Sequence, residues 1–239
     1  MNLTDKRLVV IGGTSGIGLA TAKAAAEAGA EVVIVSGRSS SVERALAELP
    51  GKATGHAVDV LDAAAVDSMF AQIGTFDHLA YTAGEPLALA PVADLDLDTA
   101  RAFFQTRYFG ALVAVRAAAP RLRPGGSITL TGGSASERPA AGWAVPASLC
   151  GAMEALTRAL AVELAPIRVN LVRPGVVRSP LWSGMSEDDR DGLFAERAAA
   201  LPVGHVGEVE EIAQAYVYCM TQTYSTGAVV SVDGGALLV

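Results

Sequence analysis

The 239-residue sequence is 51% hydrophobic, 18% charged and 5% aromatic, with a formal net charge of -7. That balance suits one packed globular domain and excludes a disordered chain, while the acidic excess excludes the basic footprint that nucleic acid or an anionic membrane surface would require. Cys150 and Cys219 give neither a disulfide framework nor a C-x-x-C pair, and His56, His78 and His205 lack metal-ligand spacing, so no metal site is expected.

The chain starts "MNLTDKRLVVIGG", passing from charge straight into a strand pattern, and no run reaches the ~18 apolar residues needed to span a bilayer. A cytoplasmic chain without targeting segment is the expectation. Strand "RLVVI" (7–11) leads into helix "IGLATAKAAAEAG" (17–29), strand "EVVIV" (31–35) and helix "SVERALAEL" (41–49). Strand "HAVDV" (56–60), helix "AAAVDSMFAQI" (63–73) and strand "DHLAY" (77–81) repeat the rhythm. A long helix around 98–120, strand "SITLT" (127–131), a helix opening near 144, strand "IRVNLV" (167–172), a helix near 208–221 and strand "AVVSVD" (228–233) complete it. Such βαβ alternation predicts an α/β fold: a single Rossmann-like, doubly wound domain over 1–239, with about seven parallel strands and helices on both faces. Gly29, Gly51 and Gly74 fall just past helical runs, where left-handed C-caps are usual. Residues 176–207 are the least regular, and 178–207 is the natural place for a substrate lid.

The first strand runs directly into "GGTSGIG" (12–18) and then a helix, the context a dinucleotide cradle requires. Gly12 and Gly16 let backbone approach a pyrophosphate, Gly18 lets helix pack on strand, and Thr14, Ser15 and Ile17 complete the turn at a helix N-terminus that favours the anion. Twenty residues after Gly18 the second strand ends in "SGRSS", with no acid to hold the ribose 2'-hydroxyl of NAD(H). Arg38, with Ser39 beside it, can pair with a 2'-phosphate instead, which favours NADP(H) over NAD(H); otherwise it is an ordinary surface arginine.

With these features the chain resembles the short-chain dehydrogenase/reductase family over nearly its whole length. "GGTSGIG" is similar to that family's TGxxxGIG turn, "VDV" (58–60) to its adenine contact, and "YTAG" (81–84) to its NNAG stretch. "IRVNLVRPGVVRSPLW" resembles its strand followed by PG, and "STGAVVSVDGG" its C-terminal strand. The resemblance implies cofactor contacts from Asp59, Val60, Ala83, Gly84, Pro174, Gly175, Val177 and Ser179. It also implies a small-molecule substrate and a homodimer or homotetramer built on the two long central helices and the last strand.

The family's catalytic Asn, Ser, Tyr and Lys fall here on Arg107, Gly133, Pro146 and Cys150. No register shift restores them, because lysine occurs only at 6, 23 and 52 and no tyrosine lies between Tyr108 and Tyr216. Tyr and Lys at i and i+4 share a helix face, where the ammonium lowers the phenol's pKa for proton relay; that relay is absent. Arg107 is the candidate for binding a carboxylate or stabilising an oxyanion, or else it pairs with a structural partner. Ser134 is a candidate hydroxyl donor, as is Ser136 if the loop shifts. Glu85 is a possible acid if desolvated, Cys150 a nucleophile or a buried thiol, Tyr81 a cofactor neighbour or structural. Trp143 and Trp182 line a pocket for a flat substrate or plug the core. The expected activity is NADP(H)-dependent reduction of a carbonyl, imine or activated alkene; the alternatives are a silent NADP(H)-binding sensor or scaffold, and a non-redox enzyme using the old substrate pocket.

Overall fold

A computed structural model describes residues 2–87 and 89–239. In chain order the strands are β1 (Arg7–Ile11), β2 (Glu31–Ser36), β3 (Thr54–Ala57), β4 (Phe76–Tyr81), β5 (Leu122–Thr131), β6 (Arg168–Pro174), β7 (Val177–Arg178), β8 (Gly207–Glu208) and β9 (Val229–Val232). The helices are α1 (Gly16–Glu27), α2 (Ser39–Glu48), α3 (Ala63–Ile73), α4 (Leu97–Phe104), α5 (Gly110–Ala118), α6 (Ala144–Glu163), α7 (Glu187–Ala200) and α8 (Val209–Thr221).

Seven strands form one parallel sheet in the order β3-β2-β1-β4-β5-β6-β9. The chain winds outward from β1 to β3, then returns to β4 and winds the other way. Its switch point therefore lies between β1 and β4, where an open α/β sheet leaves a crevice beyond the strands' carboxyl ends. The period of two along β1 divides its side chains between the layers: Val9 and Ile11 join Phe70, Ala114 and Leu149 beneath α3, α5 and α6, while Leu8 and Val10 join Ala22, Ile212 and Tyr216 beneath α1 and α8. Both faces being covered, the strands read as continuous apolar runs.

Two elements depart from the sequence pattern. The third strand covers 54–57 rather than 56–60: the Val58 amide still donates to the Ser36 carbonyl at 2.8 Å, and the Asp59 carboxylate then accepts from the Leu61 amide at 3.0 Å and turns the chain. The helix expected over about 98–120 is broken by one π-helical turn, Gln105–Phe109, between α4 and α5. The wider turn frees the Thr106 carbonyl, which accepts the buried Tyr81 hydroxyl.

α6 is long and apolar enough by composition to cross a membrane. Here it is the core helix against β6, and it carries the Glu154–Arg158 ion pair. Residues 178–207 have a small core of their own, in which Trp182, Phe194 and Val206 are buried together. Its two ends are tied by the β7–β8 pair, and the Trp182 indole donates to the Val177 carbonyl at 2.9 Å.

At the opposite end of the sheet His78 is buried, its Nδ1 2.9 Å from Ser127 Oγ. Burial pushes the imidazole down to about 4, so the ring is neutral at physiological pH. Arg168, also buried, donates to the Cys219 and Met220 carbonyls at 2.7 and 2.9 Å and so satisfies the end of α8.

Candidate active site

A cleft of about 560 Å³ opens at the carboxyl ends of β1 and β4. Gly12, Thr14, Ser15, Gly16, Ile17 and Gly18 line it where β1 passes into α1, and Arg38, Asp59 and Val60 line it beyond β2 and β3. Ala83 and Gly84 enter it after β4; Pro174, Gly175, Val177 and Ser179 enter it after β6. Arg107 and Ser134 face the same space. Ser39, the first residue of α2, is exposed and stands outside this lining.

Why these residues make a cradle is visible at two glycines. Gly12 has φ +87°, and a Cβ there would sit 2.6 Å from the Ala83 nitrogen; a Cβ on Gly18 would sit 2.2 Å from the Gly12 carbonyl oxygen. Only glycine permits this closeness of turn, helix and neighbouring strand. Ser15, the N-cap of α1, makes no side-chain cap bond, so the first amides of the helix are left without a side-chain partner. Unpartnered amides at a helix N-terminus fit the pyrophosphate of a dinucleotide. Arg38 is exposed and forms no ion pair among the described residues, which leaves its guanidinium available to a 2'-phosphate.

Arg107, Gly133, Pro146 and Cys150 all line this cleft. A Cβ on Gly133 would stand 3.1 Å from Cys150 Sγ, so the loop after β5 and α6 face each other directly. Pro146 is the third residue of α6, within the first turn, where a backbone N–H has no helical acceptor, so the helix keeps its start. Burial pushes the Cys150 thiol up to about 11, with Arg107 pulling the other way, so it stays protonated and is a poor nucleophile.

Arg107 sits on the π turn. Its Cζ lies 4.5 Å from the Phe103 ring centroid, one Nη donates to the Glu85 backbone carbonyl, and its buried Nε has no partner among the described residues. Gly84 makes room for it, because a Cβ there would be 2.4 Å from Cζ. Burial lowers the guanidinium from its ordinary value and Glu85 opposes that shift. The Glu85 carboxylate accepts from Thr106 Oγ1.

Several residues resolve into structural roles. Tyr81 donates its hydroxyl to Thr106, and burial pushes the phenol upward, away from proton exchange near neutral pH. Tyr108 packs against Phe104 and Phe109. Ser136 turns from the cleft and donates to Glu154 at 2.7 Å, while Glu154 accepts from Arg173 at 3.2 Å. This anchor holds the Gly133–Ser134 loop against α6; the sequence shows only that Glu154 lies one turn beyond Cys150. Trp143 lines the cleft and Trp182 does so while also filling the small core of 178–207, their ring centroids 6.4 Å apart.

Comparisons with known proteins agree with this fold. The model of an SDR-like Rossmann domain matches residues 1–239. The short-chain dehydrogenase/reductase fsr5 of Gibberella fujikuroi is 34% identical, covering 99% of this chain and 96% of that protein. A solved small-chain dehydrogenase in complex with NADPH superposes with a TM-score of 0.87 at 39% identity, over 98% of this chain and 99% of the other. The MalC reductase/Diels-Alderase of Malbranchea aurantiaca superposes with a TM-score of 0.91 at 27% identity, over 99% and 98%.

Proposed function

The chain belongs to the short-chain dehydrogenase/reductase family, and from that premise we propose that it is an NADP(H)-dependent reductase whose site transfers hydride without an enzyme-borne proton relay. Its substrate is a small organic molecule bearing a carbonyl, an imine or an activated alkene. The observation that carries this reading is an intact cradle opening directly onto Arg107, Gly133, Pro146 and Cys150.

The cradle residues Gly12 to Gly18 would hold the pyrophosphate, Arg38 with Ser39 the 2'-phosphate, and Asp59 and Val60 the adenine end. Ala83, Gly84, Pro174, Gly175, Val177 and Ser179 would hold the remainder. When bound, NADPH supplies the hydride, and the protein supplies position and electrostatics. The resemblance to a dehydrogenase solved with NADPH supports this choice of cofactor.

Around the substrate, Arg107 binds or polarises the acceptor, with Ser134 as a neighbouring hydroxyl. Trp143 and Trp182 give an apolar wall, and residues 178–207 act as a lid that excludes water. Neither the Cys150 thiol nor the Tyr81 phenol has its proton poised for release near neutral pH, since burial pushes both upward. Missing acid catalysis lowers the rate by roughly 10²- to 10⁴-fold where an alkoxide must be protonated, so acceptors that need no such proton are favoured.

Stopped-flow loss of NADPH absorbance over a panel of carbonyl, imine and enone acceptors tests the reading, and tight NADPH binding with no turnover by any of them contradicts it. A second reading is favoured by the likeness to MalC, described as both reductase and Diels-Alderase: the same cleft promotes a cyclisation without redox change. Product formation that proceeds equally with NADP+ and with NADPH, leaving the cofactor unchanged, would identify it. A homodimer or homotetramer is proposed through α5, α6 and β9, next to which Phe109 and Val162 are exposed. Light scattering behind size exclusion that finds only monomer refutes this.

A further inference from the structure

Building on the reductase reading, we infer that the acceptor is a neutral, planar, conjugated carbonyl compound of enone or quinone type, whose reduced form leaves the hydride step as a delocalised oxyanion held by Arg107. Cationic iminium acceptors are correspondingly disfavoured.

The sign of the local charge decides this. The Arg107 guanidinium is packed between the Phe103 ring and Gly84, with a buried Nε that has no partner among the described residues. Three titratable groups act on it: Glu85, Cys150 and Tyr81. The Cys150 thiol is protonated and the Tyr81 hydroxyl is committed to the Thr106 carbonyl, so neither carries charge. Glu85 is exposed, its carboxylate turned to Thr106 Oγ1, and Arg107 takes only its backbone carbonyl. Arg107 is therefore the cation that faces the cleft's inner end, its charge partly offset by the Glu85 carboxylate at the rim. A neutral acceptor that gains a hydride becomes an anion and is stabilised there; an iminium that gains one loses its charge, so its cationic ground state is the repelled species. At ~5 Å and an effective dielectric of ~20, the guanidinium alone would change each rate by on the order of a hundredfold, an upper bound that the Glu85 carboxylate reduces.

The same class explains how reduction proceeds without a proton relay. For an enone, bound NADPH would supply the hydride, its nicotinamide C4–H bond breaking as a C–H bond forms at the conjugated carbon. Two electrons pass to the acceptor, and its π pair moves onto the carbonyl oxygen. A quinone receives the same two electrons and ends as a phenolate. A simple ketone must end as an alkoxide, whose conjugate acid is about as weak as water, whereas a phenol is a far stronger acid, at ~10. A delocalised anion can leave as such or take its proton from solvent water after release. Trp143, Pro146, Leu149 and Met153 give the cleft an apolar wall suited to a flat ring.

Two measurements test this, and both read out on the wild-type protein. In the first, para-nitrophenol is titrated against cofactor-free protein and followed by phenolate absorbance across pH. The phenolate is expected to bind about tenfold or more tightly than the phenol, a preference that Arg107→Lys keeps and Arg107→Met loses. In the second, NADPH oxidation is compared for menadione, cyclohexenone and a preformed N-methyl dihydroisoquinolinium. Faster turnover of the first two, compressed in Arg107→Met, supports the inference. Faster iminium turnover, or equal binding of phenol and phenolate, overturns it and leaves the reductase reading standing. No NADPH oxidation with any acceptor removes both.

Discussion

Introducing the family's tyrosine and lysine on α6 would test the proposal that proton delivery limits this protein. A tyrosine in place of Pro146 and a lysine in place of Cys150 would stand one turn apart on the cleft side of α6, and Pro146 lies early enough in the helix that its replacement disturbs no established backbone bond. The obstacle is charge. The introduced ammonium would enter a site where burial already raises the Cys150 thiol to about 11 and where Arg107 is felt directly. Two cations ~6 Å apart at an effective dielectric of ~20 repel by roughly 3 kcal/mol, enough to lower the lysine's pKa by about two units. Pro146→Tyr with Cys150→Lys should therefore gain little alone. Adding Arg107→Asn and Gly133→Ser should raise kcat/KM for simple ketones by roughly 10²- to 10⁴-fold, measured as NADPH oxidation with circular dichroism as the folding control. A double variant that gains as much as the quadruple would refute the electrostatic coupling. A folded, NADPH-binding quadruple variant without gain would refute the claim that proton delivery is what the site lacks.

Further outcomes follow from other parts of the molecule. Arg38→Ala should weaken NADPH binding about 10- to 100-fold by calorimetry while leaving NADH affinity unchanged, because it removes charge-assisted bonds to the 2'-phosphate alone. His78 has its folded pKa depressed to about 4 from an ordinary 6.5, so between those values the unfolded chain takes up a proton that the folded chain refuses. Stability should fall by up to about 3 kcal/mol as pH drops through that window, and His78→Asn should flatten the trend in urea midpoints. Trp182→Ala removes the centre of the 178–207 core and should cost about 3–5 kcal/mol of local stability, seen as preferential proteolytic cleavage within that segment.

The sheet was legible in the sequence because its strands are apolar runs between helices of clear period, and the glycine turn was legible because strand, turn and helix follow in order. Contacts set by packing were not. In "HAVDV" the valines carry the strand pattern, and it is the Asp59 side chain that folds back on the Leu61 amide and ends the strand early. The π turn under Arg107 leaves no compositional mark; it depends on Tyr81, far away in sequence, reaching the freed Thr106 carbonyl. Likewise Ser134 and Ser136 are equivalent in "GGSAS", and only Glu154 on the facing helix separates the one that lines the cleft from the one that anchors the loop.

The central claim is that hydride moves here without a proton moved by the protein, and isotope effects on a single turnover address it directly. With NADPH deuterated at the transferred position, the rate of cofactor oxidation should drop several-fold, while transfer from water to heavy water should leave it nearly unchanged. A large solvent isotope effect on that same step would mean that a protein group releases a proton as the hydride moves, and would contradict the account.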